Sequence, residues 1–456
     1  MSDRSYKLEN EKITRLLMNL SLPATIAMLV NALYNIVDTI FIGQGIGYIA
    51  IGGLTIAFPV QMMIMAIAQM IGIGAASVIS RSLGAKDVEK ADHAAGNSFL
   101  SVGILGIIIC ILGLTFIDPL LRIFGATDIL LPYAKEYLQV ILIGSIYFPF
   151  AVSGNNLIRA EGNAKAAMFS MLIGTILNII LDYIFIFPLD MGIRGAALAT
   201  ILSQAASVTY VLFYIYGGNS SLKVKLHHLK PNWPIIYEIV TVGFPSFARQ
   251  ASGSVIAIIM NNSLAFYGGE LAISIYGVIN RVTMFLFMPM FGVVQGMQPI
   301  AGFNYGAKRF DRVKEVVKLS IIITTIYASI TALAGELFPG QIIGIFDDDP
   351  ELIRNGVYAL RIVISLIPIV GVQIIGAALF QSIGKARPSL LLTLSRQVLF
   401  LIPLVLILPR IFGLGLSGIW MSVPIADFFS TIITFILVRK EMGTMEYRLN
   451  EVQQAE

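Results

Sequence analysis

The chain is 456 residues long with a formal net charge of +4, and it is 57% hydrophobic but only 13% charged. An ordinary globular chain is roughly 45–50% apolar and about 25% charged, so the excess has to face something other than water and a soluble fold is excluded. Cys110, inside an apolar run, is the only cysteine, which rules out an intramolecular disulfide and a cysteine-based metal site.

In chain order, Met1 to Arg15 carries Arg4, Lys7, Lys12 and Arg15. The apolar stretch that follows contains Pro23, Asn31, Asn35 and Asp38 and lacks a small-residue cleavage site, so it reads as an uncleaved first helix and not as a signal peptide. The uncharged run Ser98 to Ile117 is long enough, at 1.5 Å per residue, to cross a hydrocarbon core of about 30 Å. Hydropathy and charge breaks predict twelve spans, at residues 14–42, 52–79, 95–117, 132–157, 164–187, 193–216, 235–262, 271–300, 315–338, 351–380, 387–408 and 415–438. A dozen such segments leave no polar shell to enclose them. The fold class is therefore an all-α polytopic membrane protein of twelve helices.

Most Lys and Arg residues fall in the tails and loops that a cytoplasmic N-terminus would put inside, so both termini are expected in the cytoplasm of a cell (inner) membrane protein. Asp347, Asp348, Asp349 and Glu351 then form a solvated external turn, and His93, His227 and His228 read as solvated loop residues. The longest loop, 217–234, holds Lys223, Lys225, His227, His228 and Lys230. It divides a first six-helix lobe, 1–216, from a second, 235–440, followed by a cytoplasmic tail, 441–456.

The two halves repeat at an offset of about 222 residues. Pro23 maps to Pro245, Gly74 to Gly296, the triplet Gly84, Ala85, Lys86 to Gly306, Ala307, Lys308, and Gly162 to Gly384. Six spans per half give both halves the same orientation, so an axis along the membrane normal should relate them across a central cleft suited to alternating access.

The segments LYNIVDTIFIGQGIG (Leu33 to Gly47), SRSLGAKD (Ser80 to Asp87), IRAEGNAKAAM (Ile158 to Met168) and LNIILDYIFI (Leu177 to Ile186) resemble the multidrug and toxic compound extrusion (MATE) family, in its prokaryotic, DinF/MepA-like branch. With the repeat, the resemblance covers nearly the whole chain. It implies a V-shaped antiporter that exports cationic or amphipathic drugs in exchange for protons or sodium, as a monomer in membrane lipid, with no cofactor and no nucleic-acid partner.

A carboxylate at the bilayer centre costs at least about 2.5–3.5 kcal/mol, so it usually faces a cavity and has a task. Asp38 and Asp182 are the two such acids of the first lobe, with Asn35 three residues before the one and Asn178 four before the other, each pair on one helix face. Either acid could load a proton from one side and release it to the other. Asp38, Asn178, Asp182 and Thr200 also match the positions at which the resembled family has a first-lobe ion site, and Pro23 matches a proline that allows the first helix to bend. Adding 222 to the acids gives Met260 and Leu404, so carboxylates sit in one lobe only. The second lobe carries Arg249, Arg281, Arg361 and Arg396 instead, with Asp427 expected to pair with one of them. Arg249 and Arg281 are expected to point into the lobe or cleft. Met65 and other methionines of the second and eighth spans could make a soft wall for varied drugs. Asn155 is a further cavity candidate, and close-set Gly72, Gly74, Ala75 and Ala76 predict tight helix packing.

No G-x-x-x-x-G-K-[ST] loop occurs, which disfavours an ATPase. A lipid-linked saccharide flippase, whose pyrophosphate the four arginines could hold, is the alternative. Two buried acids could also serve an intramembrane enzyme, but no catalytic motif accompanies them, and neither an enzyme nor a metal site is expected.

Overall fold

A computed structural model describes residues 3–346 and 349–455. Asp347 and Asp348 of the acidic turn lie outside the described residues. Its neighbour Asp349 caps a helix, with Oδ1 accepting from the amides of Glu351 (2.8 Å) and Leu352 (2.9 Å).

After a short α1 (Asp3–Asn10) come α2 (Ile13–Gly45), α3 (Tyr48–Gly84), α4 (Val88–Thr115), α5 (Ile117–Ile123), α6 (Leu131–Gly144), α7 (Phe148–Ala160), α8 (Ala164–Ile186) and α9 (Gly192–Tyr216). A 3-10 turn, Leu226–Leu229, leads into α10 (Trp233–Gly306), α11 (Phe310–Leu337), α12 (Pro339–Gly344), α13 (Pro350–Ile364), α14 (Ile367–Ser382), α15 (Ala386–Leu394), α16 (Ile402–Ile407) and α17 (Gly415–Ala455). Among the described residues nine helical segments are long and apolar enough to cross a membrane, and the bent pairs α6–α7 (50°) and α13–α14 (49°) raise the number to 11. The twelfth is hidden in α10. At 74 residues it is far too long for one crossing, and it breaks at Gly269 (φ 65°, ψ −159°), a conformation essentially reserved for glycine.

The expected loop between the seventh and eighth spans is thus reduced to one residue. Its counterpart 222 positions earlier, Gly47 (φ 111°), opens α3, so the same turn is made twice. Lys86 and Lys308, with φ of 63° and 58°, form another pair of left-handed residues at the same offset.

Inter-lobe contacts repeat as well, with the partners exchanged. A Cβ on Gly84 would stand 1.9 Å from the Phe303 carbonyl oxygen, and one on Gly306 would stand 2.0 Å from that of Arg81. Gly84 and Gly306 are 222 apart, as are Arg81 and Phe303, so the two contacts exchange under a two-fold rotation. The small residues of α3 act as expected: a Cβ on Gly74 would lie 1.9 Å from the Ile239 oxygen, so α3 and α10 pack backbone to backbone.

The buried core shows how the lobes diverge. One cluster mixes residues of both halves, including Leu8, Ile79, Phe303, Phe380 and Met445. It lies at the end of the bundle that carries both termini, where Asn304 donates to the Leu8 carbonyl and Lys314 pairs with Glu446. A second cluster draws only on the first half, with Ile42 and Leu138 fully buried, and a third only on the second half, with their repeat mates Leu264 and Leu360. Twelve helices thus form two pseudo-symmetric lobes that share one core cluster at the end carrying the termini and have separate core clusters away from it.

Candidate functional site

The helix period places Tyr34 and Asp38 on one face of α2, and this face packs against α8. Asp182, fully buried on α8, accepts at Oδ2 from Asn178 Nδ2 (2.9 Å) one turn earlier. The Asp38 and Asp182 carboxyls meet side chain to side chain across the α2–α8 contact. Tyr34 and Tyr137 flank the pair, and Thr200 of α9 reaches both phenols. Thr200 Oγ1 donates to the Ala196 carbonyl (3.1 Å), while the Tyr137 hydroxyl accepts from Gln61 Nε2 (2.9 Å). Asp182 Oδ1 is buried with no hydrogen-bond partner among the described residues. Two carboxylates in low dielectric repel strongly unless something positive sits between them, so this constellation can hold a proton or a cation.

Sequence reasoning found Asp38, Asn178, Asp182 and Thr200, which converge here, but missed Tyr34, Gln61 and Tyr137. Tyr34 carries the same signal as Asn178, an i, i+4 spacing to an acid. Gln61 and Tyr137 come from other helices, and no local pattern ties them to the pair. The Asn35 side chain lies outside the described residues.

The remaining candidates are elsewhere. Pro23, buried inside α2, is fifteen residues from Asp38, about 22 Å along the helix. Asn155 is buried in packing, donating to the Ala167 carbonyl (3.0 Å) and accepting from Arg159 (3.0 Å). Its neighbour Asn156 is the one that borders the inter-lobe pocket, with Arg159, Ser77, Gln298 and Gln381. Met65 is half-buried, Met288, Met290 and Met297 are core residues, and Met284 is 59% exposed, so three of these four eighth-span methionines pack inside the protein.

Arg249 lies over the Phe291 ring (5.4 Å), one residue from Gly292, which packs against Thr25 of α2. Arg281 is exposed, on the α10 stripe that continues through Met288 to Gly292. Arg396 pairs with the buried Asp427 through Nε, with Nη2 at 3.4 Å, as expected. Arg361 pairs with Glu336 (3.4 Å). Met260, the repeat mate of Asp38, is buried in the second-lobe core.

Of the three histidines, His227 is exposed in the inter-lobe segment as expected, whereas His93 and His228 contradict the reading as solvated loop residues. His93 lies in α4, which begins five residues earlier, and His228 is only 1% exposed. Asn97 explains the burial: its amide donates to the carbonyls of His228 (3.1 Å) and Lys230 (3.2 Å) and drags the connecting segment onto α4.

Comparison with known proteins bears on the whole chain. The family model MatE matches twice, over residues 23–184 and 245–407, and the two starts are again 222 apart. "Multidrug export protein MepA" of Staphylococcus haemolyticus (strain JCSC1435) is 28% identical over 440 residues, covering 96% of this chain and 95% of that protein. The protein of the same name from Staphylococcus aureus (strain MSSA476) is 27% identical over 436 residues, 96% of each chain. Among solved structures, one described as MATE in the bent conformation superposes with a TM-score of 0.93 at 29% identity, covering 99% of this chain and all of that one. The outward-facing conformation of a multidrug resistance MATE family transporter of the MOP superfamily gives 0.92 at 29% identity, over 98% and 99%.

Proposed function

The chain belongs to the MatE family, and from that membership we propose that it is a secondary antiporter exporting cationic or amphipathic drugs by alternating access, coupled to protons or sodium through Asp38 and Asp182. The observation that carries the coupling site is the meeting of these two carboxyls in the core of one lobe, beside Asn178, Thr200 and two phenols. Binding a positive ion there relieves the repulsion of the pair and draws α2 and α8 together; losing it releases them. Because α2 also packs against α10 of the other lobe, the ion's occupancy can bias how the lobes meet. We assign residues 1–216 and 235–440 to the lobes, 217–234 to the linker and 441–456 to a tail, with both termini cytoplasmic, in a protein working as a monomer. The cleft between the lobes takes the drug.

The flippase alternative needs several free cations around one pyrophosphate. Arg396 and Arg361 are instead neutralised by Asp427 and Glu336, and Arg249 is stacked on a ring, which argues against such a clamp.

The test is drug transport in proteoliposomes under imposed pH and sodium gradients. One charge moving through about 100 mV releases about 2.3 kcal/mol, enough for roughly a 45-fold gradient of a neutral drug. Asp38→Asn should abolish that gradient in folded, inserted protein, and Asp182→Asn should produce a similar or milder loss. If both single variants and the double still build the gradient, the acids are structural and the coupling site is wrong.

A further inference from the structure

Away from the carboxyl pair, at the end of the bundle that carries the termini, Glu89 and three histidines converge. Glu89 and His93 are i, i+4 neighbours at the start of α4, and His227 and His228 come from the 3-10 turn of the inter-lobe segment. The Nε2 atoms of His93, His227 and His228 lie 3.5, 3.3 and 3.1 Å from one atom, Glu89 Oε1. One ligand atom from each of the four residues fits within a group no more than 4.8 Å across.

Three N–H donors are more than one carboxylate oxygen can accept well, since it offers about two lone-pair sites. The spacing suits another arrangement. A tetrahedral ion with arms of about 2.0–2.1 Å holds its ligand atoms about 3.3–3.4 Å apart, close to the 3.5 and 3.3 Å that separate the Nε2 atoms of His93 and His227 from Glu89 Oε1.

The four residues do not play the same part. His228 Nδ1 accepts from the Lys225 amide (3.0 Å), so the neutral ring keeps its proton on Nε2 and donates it to Glu89. His93 Nδ1 is buried with no hydrogen-bond partner among the described residues, so the tautomer that turns the Nε2 lone pair toward the cluster leaves a buried N–H unpaired, a cost that the bond to the metal has to outweigh. His227 and Glu89 are 50% and 66% exposed, which gives an ion a path from solvent.

We propose that Glu89 Oε1, His93 Nε2 and His227 Nε2 bind a divalent transition metal of the zinc class, with water as the fourth ligand, and that His228 is a positioning residue that orients the Glu89 carboxylate. Two histidines and a carboxylate are a recurrent zinc set, and a hydrogen-bonded ligating carboxylate is the usual outer-shell arrangement. The frame stands ready without the ion. Asp92 Oδ1 accepts from the Lys223 amide (2.8 Å), Asn97 Oδ1 accepts from the Asn232 amide (2.8 Å), and a Cβ on Gly96 would lie 2.4 Å from the His228 oxygen. The bound metal fastens the segment joining the lobes to the first lobe.

The test is a Zn2+ titration of metal-stripped, full-length protein without a polyhistidine tag, in detergent, against a chromophoric chelator. One Zn2+ per chain is expected. His227→Gln, at an exposed position, and His93→Gln should each weaken binding at least about tenfold, and His228→Gln should weaken it by about 10–100-fold. Zn2+ should also slow tryptic cleavage after Lys223 and Lys225 in the parent but not in His227→Gln, while size-exclusion profiles stay unchanged. Absence of stoichiometric binding, or binding that survives His93→Gln and His227→Gln together, would mean that the cluster is only a hydrogen-bonded contact and would overturn the proposal.

Discussion

Gly84 and Gly306 hold the two lobes together at the end that carries the termini, and a single methyl group tests whether that contact is a seal. A Cβ would stand 1.9 Å from the Phe303 oxygen at the first position and 2.0 Å from the Arg81 oxygen at the second, where ordinary contact begins at 3.4 Å. The obstacles are backbone atoms, so no side chain can swing aside, and the ends of α3 and α10 have to part by about 1.5 Å and 1.4 Å. Overpacking of this kind costs about 1–3 kcal/mol. Separating the lobes relieves it, so the cost moves the equilibrium toward the state open at this end by about 5- to 150-fold. A reporter is at hand in Ser77, 5% exposed, whose hydroxyl donates across the lobes to the carbonyls of Gln381 (2.7 Å) and Ser382 (3.0 Å). In a Cys110→Ser, Ser77→Cys background, the rate of labelling by an impermeant maleimide supplied from the termini side should rise by that factor in Gly84→Ala and in Gly306→Ala. The two rises should match, because the contacts are exchanged by the two-fold. The double variant should gain less than the product, because one separation relieves both clashes. Labelling within twofold of the parent in both single variants would refute the seal, and rises differing by more than tenfold would refute the symmetry argument.

Arg396→Met strands the buried Asp427 carboxylate and should cost about 3–5 kcal/mol of stability, whereas Arg396→Met with Asp427→Leu should recover most of it; thermal unfolding in detergent measures both. If the single variant is as stable as the parent, the pair holds nothing together. Gly269→Ala forces a Cβ into the glycine-only break of α10 and should destabilise by about 1–3 kcal/mol, while Gly253→Ala, in the same helix with nothing within 4 Å of its Cβ, should stabilise by up to about 1 kcal/mol. Equal effects in the same melts would show that the break carries no strain.

The repeat was the most legible feature, because it is written in residues that backbone geometry demands. Gly47 and Gly269 recur where φ is positive, and Gly84 and Gly306 where two backbones touch. Hydropathy located the spans but said nothing of the bends within two of them, nor that Gly269 alone would separate two others. Asp38 and Asp182 were legible because a charge inside an apolar run is expensive wherever the run folds. Tyr137 and Gln61 were not, since each is an unremarkable residue until a helix from elsewhere brings it to the acids. His93 and His228 were misread for a related reason. Proximity to a charged loop suggested solvent, while burial was decided by Asn97, an amide 131 residues before the backbone it holds.

The symmetry of the scaffold and the asymmetry of its chemistry follow from different constraints. Backbone contacts between lobes have to exist in both directions for a two-fold to close, so glycines at 84 and 306 are each needed. A coupling site needs only one lobe to change shape. In the second lobe the place of Asp38 is taken by the buried Met260, and its polar investment is the Arg396–Asp427 pair, which is already neutral as a unit. A pair that carries its own counter-charge has no deficit for an incoming ion to fill, whereas Asp38 with Asp182 has one. The ion should therefore act on the first lobe alone, with the second following through the α2–α10 contact.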